Sequence, residues 1–179
     1  MKNTLIVNLF SNIQSPINKS IISAYILAQL RISGVECEIV SLFTKGLSDN
    51  DSAFKNTFYI LGKQSYMVSS LFGEIDVIIN EFPLINGMFY TDNKHLDFVV
   101  MDNFLSYGDN NLNIYLNGVE DSEEDKMNTI SLFNNICDEM SIDRISFIDV
   151  NASMEGCSEI VQLVVSILGY MKQSEYNEE

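Results

Sequence analysis

The chain has 179 residues, 46% of them hydrophobic, enough to build the core of one globular domain. Ten basic residues against 25 acidic ones give a formal net charge of -15, which argues against nucleic-acid or anionic-membrane binding, since both rely on clustered Lys and Arg. The three cysteines, Cys37, Cys137 and Cys157, are odd in number and lack C-x-x-C spacing, so they suggest neither a disulfide framework nor a zinc site and fit a reducing cytoplasm.

In chain order, Leu5, Ile6, Val7, Leu9 and Phe10 form a nearly continuous apolar run, the pattern of a central strand buried on both faces of a parallel sheet. The run is far shorter than the ~20 residues a membrane span needs and has no cleavage site, so no targeting segment is expected. A polar loop follows. Asn18, Lys19 and Ser20 open a helix in which Ile21, Ile22, Tyr25, Ile26, Ala28 and Leu30 recur at helical spacing, and Gly34 ends it after Ser33. A second strand lies within Glu36 to Phe43, with Cys37, Ile39 and Val40 as its apolar part. Strand, helix and strand make a βαβ unit with a right-handed crossover.

Phe58 to Phe72 reads as a helix with Tyr59, Leu61, Tyr66, Val68 and Leu71 toward the core, closed by Gly73. Ile75 and Val77 to Ile79 make a third buried strand, whose carboxyl end carries Asn80, Glu81, Phe82 and Pro83. Open parallel sheets bind ligands beyond the carboxyl ends of their strands, so this position marks a candidate site. Leu84 to Tyr90 is expected to be helical, and Leu96 to Met101 to be a fourth strand ending at Asp102. Between Tyr107 and Glu120, Leu112, Ile114 and Leu116 alternate with polar residues, as in a short strand or part of a lid. Ser122 opens a helix to about Met140, with Glu123, Glu124 and Asp125 in its first turn, where carboxylates suit the helix dipole. Ile145 to Val150 is the last expected strand and Glu155 to Tyr170 the last helix.

The expected fold is a three-layer α/β fold with a largely parallel five-stranded sheet and helices on both faces. One domain spans 1–172, and the Asn- and Glu-rich segment 173–179 reads as a flexible acidic tail.

The loop before Lys19 stands where a phosphate-binding loop would stand. A loop of the form G-x-x-x-x-G-K-S/T uses glycines so that its backbone N–H groups turn inward and phosphate oxygens approach unobstructed. Here Ser11 to Asn18 contains no glycine, and only the final Lys19-Ser20 pair matches. Two readings stay open: phosphate contacts helped by the helix N-terminus, or a solvated lysine beside a helix cap. Glu81 is a candidate to hold a magnesium ion through water, against a strand-end carboxylate satisfied by nearby N–H groups. Asp102 and Gln64 are weaker candidates for a cleft. His95 is the only histidine and reads as a turn residue, and the cysteines read as core positions.

The chain resembles phage-encoded P-loop ATPases and nucleotide-kinase-like proteins of the AAA superfamily, which share the fold of nucleoside monophosphate kinases. The resemblance is carried by Thr4-Leu5-Ile6-Val7-Asn8-Leu9-Phe10, by Lys19-Ser20 and Glu38-Ile39-Val40, by Phe58-Tyr59-Ile60-Leu61-Gly62-Lys63-Gln64, and by Ile75-Asp76-Val77-Ile78-Ile79 with Pro83 beyond. It covers roughly the first half of the chain. It implies a P-loop kinase-like fold in which Lys19 contacts phosphate, Ser20 supplies a magnesium-contacting hydroxyl and Glu81 replaces a metal-linked Asp. The loop glycines are missing, Asn80-Glu81-Phe82-Pro83 stands for the family's Thr-Asp-Ser-Pro, and no arginine-bearing lid pattern follows near Gly118. Arginine fingers contribute roughly a thousandfold or more to phosphoryl transfer, and this chain has only Arg31 and Arg144.

The expectation is therefore a degenerate P-loop protein, impaired as a catalyst, acting in the cytoplasm through an acidic surface that includes Glu120, Asp121, Glu123, Glu124 and Asp125. Its partner would be another protein; if phage-encoded, it would act on a host or competing factor. The alternative is a divergent nucleotide kinase or a nucleotide sensor that binds ATP and magnesium through Lys19, Ser20 and Glu81.

Overall fold

The structure is a computed structural model that describes residues 2–12, 17–42, 56–90, 93–118 and 122–178, with the backbone alone at 89–90, 125 and 174–178. Its centre is β1 (Leu5–Phe10), in which every residue is buried. A strand hidden on both faces must be apolar on both, and Leu5, Ile6, Val7, Leu9 and Phe10 meet that requirement with Asn8 as the exception. On either side of it lie β3 (Val77–Asn80) and β4 (Asn111–Asn117), and β2 (Cys37–Val40) and β5 (Ile148–Asn151) form the edges. The order is β2-β3-β1-β4-β5 and all four pairings are parallel. The chain is thus α/β, with a sheet parallel throughout.

Two helices cover one face. Leu5, Val7 and Leu9 pack there with Ile22, Ile26 and Leu30 of α1 (Lys19–Ile32) and Ile160, Val164 and Leu168 of α5 (Met154–Glu178). The other face is covered by α2 (Thr57–Ser69), α3 (Lys94–Leu105) and α4 (Glu123–Met140), which supply Leu61 and Val68, Val100 and Phe104, and Phe133 and Cys137. The third layer is completed by a 3-10 helix over Leu84–Tyr90. No helix among the described residues is long and apolar enough to cross a membrane.

The first helix forms where the sequence places it. Asn18 caps it, accepting the Ser20 N–H at 3.1 Å, and Gly34 follows with φ of 80°, a left-handed conformation that a side chain resists. Gly73, with φ of 86°, likewise closes the turn after α2. Thr4 staples the amino ends of β1 and β3, its hydroxyl donating to the Ile75 carbonyl at 2.6 Å and accepting the Gly73 N–H at 2.8 Å.

Two expectations are corrected. Leu96 to Met101 is not a strand but the body of α3: Asn93 accepts the His95 and Leu96 N–H groups, and Leu96, Val100, Met101 and Phe104 are buried at helical spacing. A short apolar run fits either a buried strand or a helix, and here the cap decides. The fourth strand is Asn111–Asn117, where Leu112, Ile114 and Leu116 pack toward α1 and α5. Tyr59 and Tyr66 do not face the core; they are 49% and 62% exposed, and the core side of α2 is Leu61, Gln64 and Val68. The last helix, α5, runs from Met154 to Glu178.

Tight packing at the start of α5 joins it to β5. A Cβ on Gly156 would overlap the Asn151 carbonyl oxygen and lie 2.7 Å from Val150 Cγ1, whereas one on Gly169 would meet nothing within 4 Å. Gly156→Ala is expected to destabilise the protein by about 1–3 kcal/mol through overpacking. Gly169→Ala is expected to stabilise it by up to about 1 kcal/mol, because alanine favours a helix interior. Urea unfolding of the two variants checks both.

Candidate functional site

In this sheet the connections from β1 and β3 leave in ways that open a crevice beyond their carboxyl ends, the place where open α/β sheets bind ligands. Helix α1 starts there, with its amino end over β1 and no acidic residue in its first turn. A helix N-terminus carries partial positive charge and spare N–H groups, so anions are favoured at this point.

Lys19, Ser20 and Glu81, separated by sixty residues of chain, come together at this end of the sheet. Ser20 Oγ donates to Glu81 Oε2 at 3.4 Å, and Ser23 Oγ, one turn further along α1, makes a shorter bond to Glu81 Oε1. Lys19 Nζ lies 3.4 Å from the carbonyl oxygen of Leu9, which holds the ammonium above the end of β1. Glu81 is 4% exposed. A carboxylate that deep is costly unless hydrogen-bonded, and the two serines supply donors to both of its oxygens. The Glu81 N–H continues the sheet by donating to the Val40 carbonyl at 3.0 Å.

These groups line an open cleft of about 400 Å³. Asn18, Lys19, Ser20 and Glu81 make its polar end, and Ile17, Leu42 and Phe82 make an apolar wall. That division suits a ligand with an anionic group and a flat or apolar body. Residues 13–16 of the expected phosphate loop lie outside the described residues. Asn18 already occupies the Ser20 N–H through its side chain and accepts the Ile21 and Ile22 N–H groups with its carbonyl, so an anion must compete with this cap.

The hard oxygen donors of Ser20 and Glu81 fit magnesium rather than a softer metal. Among the described residues no group of three or more His, Cys, Asp and Glu could hold a metal ion, so a cation here would take its remaining ligands from water and from the bound phosphate.

Other expected site residues fall elsewhere. Gln64 is 1% exposed and donates to the Phe82 carbonyl at 3.3 Å, so it ties α2 to the segment after β3 rather than facing an open cleft. Asp102 sits on the exposed side of α3 near its end, not at the end of a strand. Arg31 donates to the Cys37 carbonyl and pairs with Glu38 at the amino end of β2, and Arg144 pairs with Asp138 before β5. Both arginines therefore lie at the end of the sheet away from the cleft. Lys126, in the first turn of α4, is 2.9 Å from Asp149 and 3.9 Å from Glu123, and so is held by acidic groups. Glu120 and Asp121 lie outside the described residues. All three cysteines are free and buried, and burial pushes each thiol above its ordinary range, which suits packing and not nucleophilic chemistry. His95 is exposed in the first turn of α3.

Sequence reasoning missed Ser23. Its signal is a polar residue in the buried stripe of α1, beside Ile22 and ahead of Ile26 and Leu30.

Among solved structures, the crystal structure of APE1195 matches with a TM-score of 0.52 and 13% sequence identity, covering 93% of this chain and 98% of that one. A likeness at that identity shows a shared fold and says nothing of activity. Neither a family model nor a curated protein matches the chain.

Removing the Ser23 hydroxyl leaves the buried carboxylate short of a donor. Ser23→Ala is expected to cost about 1–3 kcal/mol, and Ser20→Ala, which loses a longer and half-exposed bond, under about 1 kcal/mol. Chemical denaturation of both variants measures the difference.

Proposed function

We propose that this protein is a degenerate P-loop protein that binds a magnesium-nucleotide and has little or no phosphoryl-transfer activity, serving as a nucleotide sensor. The observation that carries this reading is the meeting of Lys19, Ser20 and Glu81 in one cleft at the start of α1. These are the residues through which the sequence resembles P-loop ATPases and nucleotide-kinase-like proteins.

In this reading the phosphates lie at the polar end of the cleft. The Lys19 ammonium exchanges its long contact with the Leu9 carbonyl for a phosphate oxygen, which a charge-assisted bond favours. Ser20 and Glu81 would hold magnesium, which supplies charge neutralisation to the phosphates when bound. Leu42 and Phe82 offer apolar surface to the rest of the nucleotide. Ser23 holds the Glu81 carboxyl aimed at Ser20 by bonding its second oxygen.

Weak turnover fits the cations that the described residues place near the cleft. Charge develops on the phosphoryl oxygens and has to be met by preorganised cations. Both arginines of the chain are at the far end of the sheet, and Lys126 is engaged by Asp149 and Glu123. A sensor reports to something, and the net charge of -15 fits a basic protein partner in the cytoplasm.

A second reading has its own observation. The cap of Asn18 on Ser20 and the contact of Lys19 with Leu9 satisfy the site internally, as in a protein that acts by protein binding alone. Calorimetry with magnesium-ATP separates the two. The sensor reading predicts saturable binding by the wild type, weakened about tenfold or more in Lys19→Ala through loss of a charge-assisted contact. No heat at millimolar ATP, with folding intact, would leave only the second reading.

A further inference from the structure

β1 is apolar except at Asn8, and the amide there is not alone. Asn8 is the register partner of Asn80 in β3 and of Asn113 in β4. Asn80 Nδ2 donates to Asn8 Oδ1 at 3.0 Å, and Asn8 Nδ2 donates to Asn113 Oδ1 at 3.1 Å and to Asn111 Oδ1 at 2.9 Å. The chain ends on backbone: Asn111 Nδ2 reaches the Phe104 carbonyl at 2.9 Å and Asn113 Nδ2 the Ser146 carbonyl at 3.3 Å. An amide ladder thus crosses the three central strands beneath α2, α3 and α4, with Ile6 and Ile78 on one side of it along the strands and Phe10 and Tyr115 on the other.

Stability does not explain the ladder. Asn8 and Asn80 are 1% and 4% exposed, and Asn80 Oδ1 is buried without a hydrogen-bond partner. Apolar side chains at these positions would extend the surrounding core and remove the orphaned acceptor, leaving the amide oxygens of the partly exposed Asn111 and Asn113 to water. Buried polar groups are best attested as devices that fix register. Sliding β3 by two residues would set Asn8 against Ile78 or Phe82 and strand several amides, so the ladder admits a single alignment.

That alignment reaches the site directly. Glu81 follows Asn80, and successive side chains of a strand point to opposite faces. With Asn80 locked on the α2 side, Glu81 is delivered to the α1 side, where Ser20 and Ser23 meet it. We propose that Asn8, Asn80 and Asn113 are positioning residues: their ladder fixes the height of β3 against β1 and so holds the Glu81 carboxylate against Ser20 and Ser23. The functional part of this proposal rests on the reading of the cleft as a magnesium-nucleotide site; the structural part does not.

The test uses Asn8→Leu/Asn80→Leu and, should that pair not fold, Asn80→Ala, each in the full chain. Crystal structures without ligand are expected to show the Glu81 carboxylate moved out of hydrogen-bond reach of Ser20. Calorimetry is expected to show the gain in ATP affinity that magnesium confers reduced about tenfold or more, since a misplaced ligand loses its advantage. ATP affinity without magnesium, which depends on Lys19, is expected to stay within about twofold, as for uncoupled sites. A variant with Glu81 still bonded to both serines overturns the proposal whatever the nucleotide data say. So does an equal loss of affinity with and without magnesium. A wild type that binds no ATP would instead sink the nucleotide reading, and the crystal structures would still decide the role of the ladder.

Discussion

Burial of β1 on both faces, with parallel neighbours on both edges, sets where the other elements go. A strand so placed gives up all solvent contact, so helices must cover it above and below, and each must arrive by a crossover from one end of the sheet to the other. The crossover from β1 to β2 puts α1 over the face formed by Leu5, Val7 and Leu9. Because a helix following a strand begins at the carboxyl edge, the amino end of α1 is carried to the same edge where β3 ends at Asn80 and Glu81 follows. The meeting of Lys19 and Ser20 with Glu81 is a consequence of that topology.

What the cleft can do follows from its charges. Among the described residues it has one lysine at the end of β1, a helix N-terminus, the Ser20 hydroxyl and one deeply buried carboxylate that Ser23 bonds from behind. Such a set can hold a phosphate and a hard cation. Among the described residues that line it, Lys19 is the one cation available to a transferring phosphoryl group, and the two arginines are committed at the opposite edge. The proposal of binding with weak chemistry rests on this balance.

Much of this was legible in the residues. The continuous apolar run of β1, the Asn18 cap and Gly34 gave the first strand and helix, and with them the position of Lys19 and Ser20, because caps and buried runs are local signals. Glu81 was legible as the residue leaving a buried strand. The fourth strand was not: Leu96 to Met101 and Asn111–Asn117 are both short and apolar enough for either state, and the choice between them is made by the Asn93 cap and by pairing with β1. Ser23 and the partners of Asn8 were hidden for the opposite reason. Their roles exist only when distant segments meet, so a serine inside a helix and asparagines inside strands look like weak residues for their elements until the sheet is assembled.

The central claim is that the crevice beyond β1 and β3 is a magnesium-nucleotide site built on Lys19, Ser20 and Glu81. Crystals of the protein grown with magnesium and ADP test it most directly. The account predicts a phosphate in contact with Lys19 Nζ and the cation beside Ser20 Oγ and Glu81. Nucleotide bound elsewhere, or a cleft in which Lys19 keeps its contact with Leu9 at saturating ADP, would contradict it.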